Sequence, residues 1–361
     1  MSAVVRVVLV LVPALALAAA ACSGKRGDGG GSEAAGSSGA AAGAGSAAAG
    51  RELRGNRAVE PEGPTGEVFH AMDRKTTQGF GRGDLAVGGG WVYWIEQPRG
   101  GGDGVGKTII RRKPAASPAE APETVAGPGK IYAVAADEER LYIAGESLEA
   151  WPHGGGMYGQ LAAGPWLEIV PSTAHLLIRS RDRVALVAKT GGEVETVWEG
   201  KHGKLSVDVD GDRFIAIPVS PWAQKSAKRA ITVYAPGTKP AVLAELAEAR
   251  GDLAVDGDWI YFGGEAGAAR AAAPLWRIPK AGGAPERVGD PAWGFGELVV
   301  RRGVLYGMVL TDAWRLQKLV LAPGAKPTVL EGRVPSMIQA LATDDTHLYY
   351  LTDFEVKRAP L

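Results

Sequence analysis

The sequence predicts an all-β protein, a seven-bladed β-propeller, and three observations carry that prediction. A short phrase recurs seven times: "LAVGGGWVYW", "VAADEERLYI", "IVPSTAHLLI", "VDVDGDRFIA", "LAVDGDWIYF", "LVVRRGVLYG" and "LATDDTHLYY". Each is a small or apolar alternation, a tight polar turn and a second apolar run, which is the period-two pattern of a hairpin. The recurrence also has a nearly constant length. The column Val92, Leu141, Leu176, Phe214, Ile260, Leu305 and Leu348 repeats about every 43 residues, inside the range of propeller blades. Finally, the last unit is one strand short. After "HLYYLTD" only "FEVKRAPL" remains, while "GEVFHAMD", Gly66 to Asp73, stands unclaimed before the first unit. A ring closed by that N-terminal strand is the expectation, with six or eight blades as alternative counts.

The remaining strands follow in order within each unit. "RVALVAKTGG" with "EVETVWEG", "PLWRIPKAGG" with "APERVGD", and "WRLQKLVLAPG" with "KPTVLEG" each give a third strand, a turn and a fourth strand. Helical periodicity is weak throughout. Only "AVLAELAEAR" suggests it, and its place in the repeat predicts a strand leaving into a loop. One four-stranded unit cannot cover both its faces, so the units must pack radially on one another. The cadence "LAVDGDWIYF … LWRIPKAGGAPERV" resembles bacterial β-propeller lipoproteins with YWTD/NHL/TolB-like repeats. That resemblance covers residues 66–361 and implies the fold and an extracytoplasmic address. It implies no single activity.

The first residues, "MSAVVRVVLVLVPALALAAAAC", join one positive charge, Arg6, to an apolar run ending in small residues, the pattern of an export signal. The run is shorter than the roughly 20 residues that a membrane-spanning helix needs. With Ala19, Ala20 and Ala21 leading into Cys22, the stretch resembles a lipoprotein lipobox, which implies lipid attachment at Cys22. Cys22 is the only cysteine, so the exported part has no internal disulfide to form. The Gly, Ala and Ser bias that follows predicts a flexible tether. The expected division is a signal peptide over 1–21, a lipidated cysteine and tether over 22–65, and the propeller over 66–361. Lipidation and export place the chain in a bacterial cell envelope. Ser23 after the cysteine favours the outer membrane.

Lys and Arg number 40 and Asp and Glu number 40. That balance leaves no large field of one sign and argues against a nucleic-acid partner. "DVDGDR", Asp208 to Arg213, lacks the glycine and glutamate of a calcium loop and reads as a strand-connecting turn. Metal-dependent lactonases resemble the chain in architecture, but their site includes asparagine, and the only asparagine here is Asn56 in the tether. No metal, cofactor or catalytic residue is assigned.

Two groups of residues remain as candidate ligand contacts. The position opening each innermost strand reads Asp84, Ala133, Glu168, Ser206, Asp252, Glu297 and Ala340, placing four carboxylates around one mouth of the channel. Such a ring attracts a cation or a basic group, unless Arg82, Lys204 and Arg250, two residues earlier, neutralise it. Phe80, Trp166, Trp222, Trp293 and Phe295 fall on or beside connections over the same face, a pattern suited to recognition. The reading is a membrane-tethered, non-catalytic binding or scaffold protein that presents this face to an envelope protein, peptide or glycan. The alternative is an exported hydrolase or lyase using the acidic mouth.

Overall fold

A computed structural model describes residues 66–73, 77–98, 108–200, 204–219, 229–246, 252–263, 274–289, 298–310, 314–334 and 338–361. Side chains at 77–84 are outside that description. Seven four-stranded antiparallel sheets surround an axis, and no helix occurs among the described residues.

The first strand in the chain, β1 (Glu67–Ala71), is set apart from its sequence neighbours. Blade 1 holds β2 (Thr77–Gly88), β3 (Trp91–Pro98), β4 (Thr108–Pro114) and β5 (Glu123–Gly129). Blade 2 holds β6 (Ala133–Ala136), β7 (Arg140–Ala144), β8 (Ser147–Pro152) and β9 (Gly159–Ala163). Blade 3 holds β10 (Glu168–Pro171), β11 (His175–Arg179), β12 (Arg183–Ala188) and β13 (Glu195–Glu199). Blade 4 holds β14 (Lys204–Asp210), β15 (Arg213–Val219), β16 (Arg229–Tyr234) and β17 (Ala241–Leu246). Blade 5 holds β18 (Leu253–Asp256), β19 (Trp259–Gly263), β20 (Leu275–Pro279) and β21 (Glu286–Arg287). Blade 6 holds β22 (Leu298–Arg301), β23 (Val304–Leu310), β24 (Trp314–Val320) and β25 (Thr328–Val334). Blade 7 holds β26 (Ala340–Thr343), β27 (His347–Leu351) and β28 (Glu355–Pro360), and its fourth strand is β1. The closure expected from the sequence is therefore present, with Glu67 opposite Arg358 and Ala71 opposite Glu355. The stretch at Ala241 is strand β17, and "DVDGDR" is the hairpin turn between β14 and β15.

Closure is tight. A Cβ on Gly66 would lie 1.8 Å from the Tyr350 hydroxyl, so the chain enters blade 7 through a position only glycine fits. Arg358 Nε donates to Glu67 at 2.8 Å, and Lys113 Nζ of blade 1 donates to the Phe69 carbonyl at 2.7 Å. Phe69 itself is buried against Tyr349, edge to face.

Alternation along the inner strands buries one residue column on each neighbouring blade. Tyr93, Tyr142, Tyr306 and Tyr349 are all 2% exposed or less. Two of these hydroxyls, on Tyr142 and Tyr349, find a partner at their own hairpin turn, and that of Tyr93 meets His153 of blade 2. Asp137 shows how. Its carboxylate accepts the Glu139 and Arg140 N–H groups at 2.8 and 2.9 Å and the Tyr142 hydroxyl at 2.9 Å. Asp344 repeats the arrangement, accepting Thr346 N–H, His347 N–H and the Tyr349 hydroxyl. Burial raises both carboxyl groups, but these donors, joined at Asp137 by Lys189, outweigh it and hold both below the usual aspartate range.

Candidate functional site

The ring has two unlike faces. One carries the hairpin turns after each innermost strand and the turns between third and fourth strands. On it, a polar clasp bridges every one of the seven seams.

Arg112 donates from blade 1 to the His153 carbonyl of blade 2 at 2.5 Å, and His153 Nδ1 lies 2.7 Å from the Tyr93 hydroxyl. The other ring nitrogen, Nε2, faces the Asp137 carbonyl at 2.7 Å. A carbonyl only accepts, so Nε2 carries the proton and Nδ1 receives the tyrosine's. Lys189 of blade 3 reaches Asp137 at 2.6 Å. Asp212 of blade 4 accepts from Ala174 N–H and the Ser172 hydroxyl, and it pairs with His175 at 2.5 Å. Lys280 of blade 5 reaches Asp210 at 2.6 Å, and Asp256 accepts Gly303 N–H of blade 6 at 3.1 Å. Arg302 meets Asp345 of blade 7 at 3.0 Å, and Arg358 reaches the Ala115 carbonyl of blade 1 at 3.1 Å. These groups are spent on holding blade to blade.

The opposite face, the mouth, begins each innermost strand. Register places Ala133, Glu168, Ser206 and Ala340 at equivalent positions, as the sequence column has them. Asp252 directly precedes β18. Glu168 is 4% exposed and is held by Arg179 across the hairpin, Nε and Nη2 each donating at 2.6 Å. Its neutralising partner is thus the residue opposite it on the next strand. In a buried bidentate pair each charge needs the other, and removing one partner costs about 3–5 kcal/mol. Ser206 accepts the Leu253 N–H at 2.8 Å and Asp208 accepts the Val255 N–H at 2.7 Å, stitching the inner strands of blades 4 and 5. Asp252 is 3% exposed, and its Oδ2 has no hydrogen-bond partner.

The remaining sequence candidates separate clearly. The backbone of Phe80 and Asp84 lies in β2, with side chains outside the description. Cys22, Trp222, Trp293, Phe295 and Glu297 lie outside the described residues. Trp166 stands on the connection from blade 2 to blade 3, as expected, but its ring is 0% exposed and belongs to the core. Its backbone N–H donates to Gly145 at 3.0 Å, and Arg183 stacks on the ring at 4.5 Å. The side chain therefore turns inward instead of toward a partner.

Beside it, on the mouth side of blade 3, is a cleft of about 610 Å³ lined by Pro165, Ser180, Asp182, Arg183, Glu199 and Gly200. Arg179 connects it to the channel, since its Nη1 donates to the Ser180 carbonyl at 3.0 Å. The Ser180 hydroxyl donates to Asp182 at 2.6 Å and holds that carboxyl below the ordinary range. The sequence reading missed Arg179, Arg183 and Ser180. Pairing the hairpin around Thr173 and Ala174 brings Arg179 opposite Glu168, which was the available signal.

No sequence model of a known family matches the chain, and no curated protein sequence does. Solved structures do. A puromycin hydrolase aligns with a TM-score of 0.54 at 14% identity, over 82% of this chain and 56% of its own. Acylaminoacyl peptidase from Pyrococcus horikoshii gives 0.53 at 11%, over 80% and 54%. The chain thus spans about half the length of these two proteins. The β-propeller domain of the Trilobed protease from Pyrococcus furiosus gives 0.53 at 11%, over 79% and 96%. That domain has an open velcro topology, whereas β1 and β28 are paired here. At such identities the likeness establishes one thing, that this chain has the fold of a β-propeller, here with seven blades.

Proposed function

We propose that the chain is an exported, lipid-anchored binding or scaffold protein of the bacterial envelope, presenting the mouth face of its propeller to a protein, peptide or glycan. In this reading residues 1–21 are the signal peptide, Cys22 carries the lipid, and 22–65 form the tether to the propeller at 66–361.

The observation that supports it most is the direction of chain entry. β1 runs antiparallel to β28, and β28 ends on the clasped face, where Leu361 N–H donates to Thr346 at 3.0 Å. Strand β1 therefore starts on the clasped side of the ring and runs toward the mouth. The described strand ends flanking segments 220–228 and 290–297, which carry Trp222 and Trp293, lie on the opposite, mouth side.

A second reading, an exported hydrolase or lyase, draws on the resemblance to puromycin hydrolase and acylaminoacyl peptidase, proteins that share the fold. It would use the acidic mouth as its polar group. The pairing of Glu168 with Arg179 withdraws one of the four carboxylates from that role.

The test is capture from intact envelopes with the full-length lipidated protein. One envelope partner is expected, retained by wild type and lost on changing Trp222 and Trp293 to Ala. The Cys22→Ser protein should leave the membrane fraction. Capture unaffected by the tryptophan changes, or turnover of ester, lactone or glycan substrates, would replace this reading with the second.

A further inference from the structure

We infer that the groove between blades 5 and 6 binds a fatty-acid-like ligand, a single acyl chain ending in a carboxylate. The groove lies beside the turn joining β24 to β25, and the inference does not depend on the mouth-face reading above.

Two seams carry the same turn and close it differently. Blade 4 joins its third and fourth strands through "APGTKP", residues 235–240, and blade 6 through "APGAKP", residues 322–327. Their glycines share one left-handed backbone, φ 66° at Gly237 and 75° at Gly324. In blade 4 the Gly237 N–H donates to both carboxylate oxygens of Glu195 from blade 3, at 3.0 and 3.2 Å. This protein thus already seats a carboxylate on that turn. Glu286 is the counterpart of Glu195 in blade 5, three residues after the Gly-Gly pair in each. It pairs with Arg277 across its own hairpin instead, and the Gly324 N–H has no acceptor among the described residues.

The unclosed seam is a groove of about 410 Å³, at the small end of ligand pockets. Val288, Leu319, Val320, Leu321 and Pro323 give it an apolar wall. Val320 is 50% exposed, one of few large apolar side chains left open on the described surface. Arg277, Arg287 and Lys326 stand on the same wall, and no carboxylate among the described residues joins them there. Arg287 lies over Trp276 at 5.2 Å, and neither it nor Lys326 has an ion-pair partner among the described residues. An acid head seated on the Gly324 N–H would meet these two unspent cations, the charge-assisted donors that a carboxylate binds best. Its chain would cover Val320 and Leu321.

The wall also selects among acids. The N–H groups of Val288, Leu321, Ala322 and Ala325 are already bonded within the protein. An extended peptide would find no ladder of donors there, whereas an acyl chain needs none. A phospholipid brings two chains to a groove sized for one.

Calorimetric titration of laurate, below its micelle concentration, into full-length Cys22→Ser protein tests this without competition from a lipid on the chain itself. One saturable site is expected. Acetate carries the head alone and dodecyltrimethylammonium the chain with opposite charge, and neither should saturate a site. Arg287→Gln combined with Lys326→Gln, both exposed positions, should weaken laurate binding at least about tenfold, the loss expected for charged hydrogen bonds. Absence of a laurate site would overturn the proposal, as would equal binding of dodecyltrimethylammonium or an unchanged affinity in the double variant. Binding to phosphatidylglycerol vesicles without a laurate site would also overturn it, in favour of contact with a lipid surface. The three ligand arms leave the propeller unaltered, so their outcome does not depend on a variant folding. Envelope capture through Trp222 and Trp293 is read separately, so either reading can fail alone.

Discussion

Blade 1 and blade 5 were written almost alike, 168 residues apart, and they are joined to their neighbours in different ways. Both carry the same ladder. Arg112 lies over Trp91 at 4.1 Å and pairs with Glu123 at 2.8 Å; Arg277 lies over Trp259 at 4.0 Å and pairs with Glu286. On these strands the Trp, Tyr, Arg and Glu positions of the ladder match between the two blades. They part at the hairpin turn, where Gly88 in blade 1 stands where blade 5 has Asp256. Gly88 lets the backbone press on blade 2, since a Cβ there would sit 2.2 Å from the Asp137 carbonyl oxygen. Its neighbour Gly89, at φ 55°, packs against His153. Asp256 instead reaches over and takes the Gly303 N–H. At the first hairpin turn itself one seam closes by backbone contact and the other by a hydrogen bond, which teaches that the repeat specifies the blade while the turn specifies the joint.

Acid should break the comparison most broadly. Glu96, on β3 of blade 1, faces His70 of blade 7, and Asp137 stands in the blade 2 turn on the other side of blade 1. Burial raises Glu96, but His70, Trp94 and Arg111 together hold it below the usual glutamate range, as Lys189 and local N–H groups hold Asp137. Groups depressed in the folded state contribute stability that is complete above their unfolded pKa and lost as pH falls through the folded value. Melting temperature should therefore be level above about pH 5 and fall below about pH 4. Asp137→Asn should start lower and fall less steeply, as read by circular dichroism. An acid limb identical to wild type would remove Asp137 from the account.

The turn exchange is the sharper test. Gly88→Asp, which gives blade 1 the blade 5 residue, should cost about 3 kcal/mol, because the obstructing atom is backbone and cannot rotate away. Asp256→Gly, the reverse exchange, should cost about 1–2 kcal/mol through one lost acceptor and added chain entropy. Urea midpoints measure both. Equal costs would mean that the two joints are the same after all.

The smallest effect separates the two arginines. Arg277→Gln loses a stacked cation and a partly exposed ion pair, together about 1 kcal/mol or less. Arg112→Gln loses the same and also its bond to the His153 carbonyl across the seam, adding about 1–2 kcal/mol. A double-mutant cycle with Trp91 and Trp259 would isolate the shared part.

Much of this was legible in the sequence, because blade count, strand order and the closing strand all follow from a repeat in which period-two patterns and turn residues agree. The mouth column was legible too, as the register of Ala133, Glu168, Ser206 and Ala340 shows. Comparing equivalent positions between blades, however, looks along the ring, and the partner of Glu168 lies across its own hairpin. Trp166 was hidden for another reason. A connection has no period, so nothing in "AAGPWLE" says which way its indole turns. Burial in one apolar cluster with Leu176, Ile178 and Ala185 decides it. The seam clasps were equally silent, since each joins residues about 40 or more positions apart with no pattern linking them.

The pairing of Glu67 with Arg358 joins positions 291 residues apart. The ring's first ribbon to leave the ribosome must wait for its last before it has a mate. A copy cut short ahead of that last ribbon would be an open crescent with two bare edges, ready prey for proteases or for the edge of another copy. Synthesis of all seven sectors is thus built into the molecule as the condition for becoming a ring.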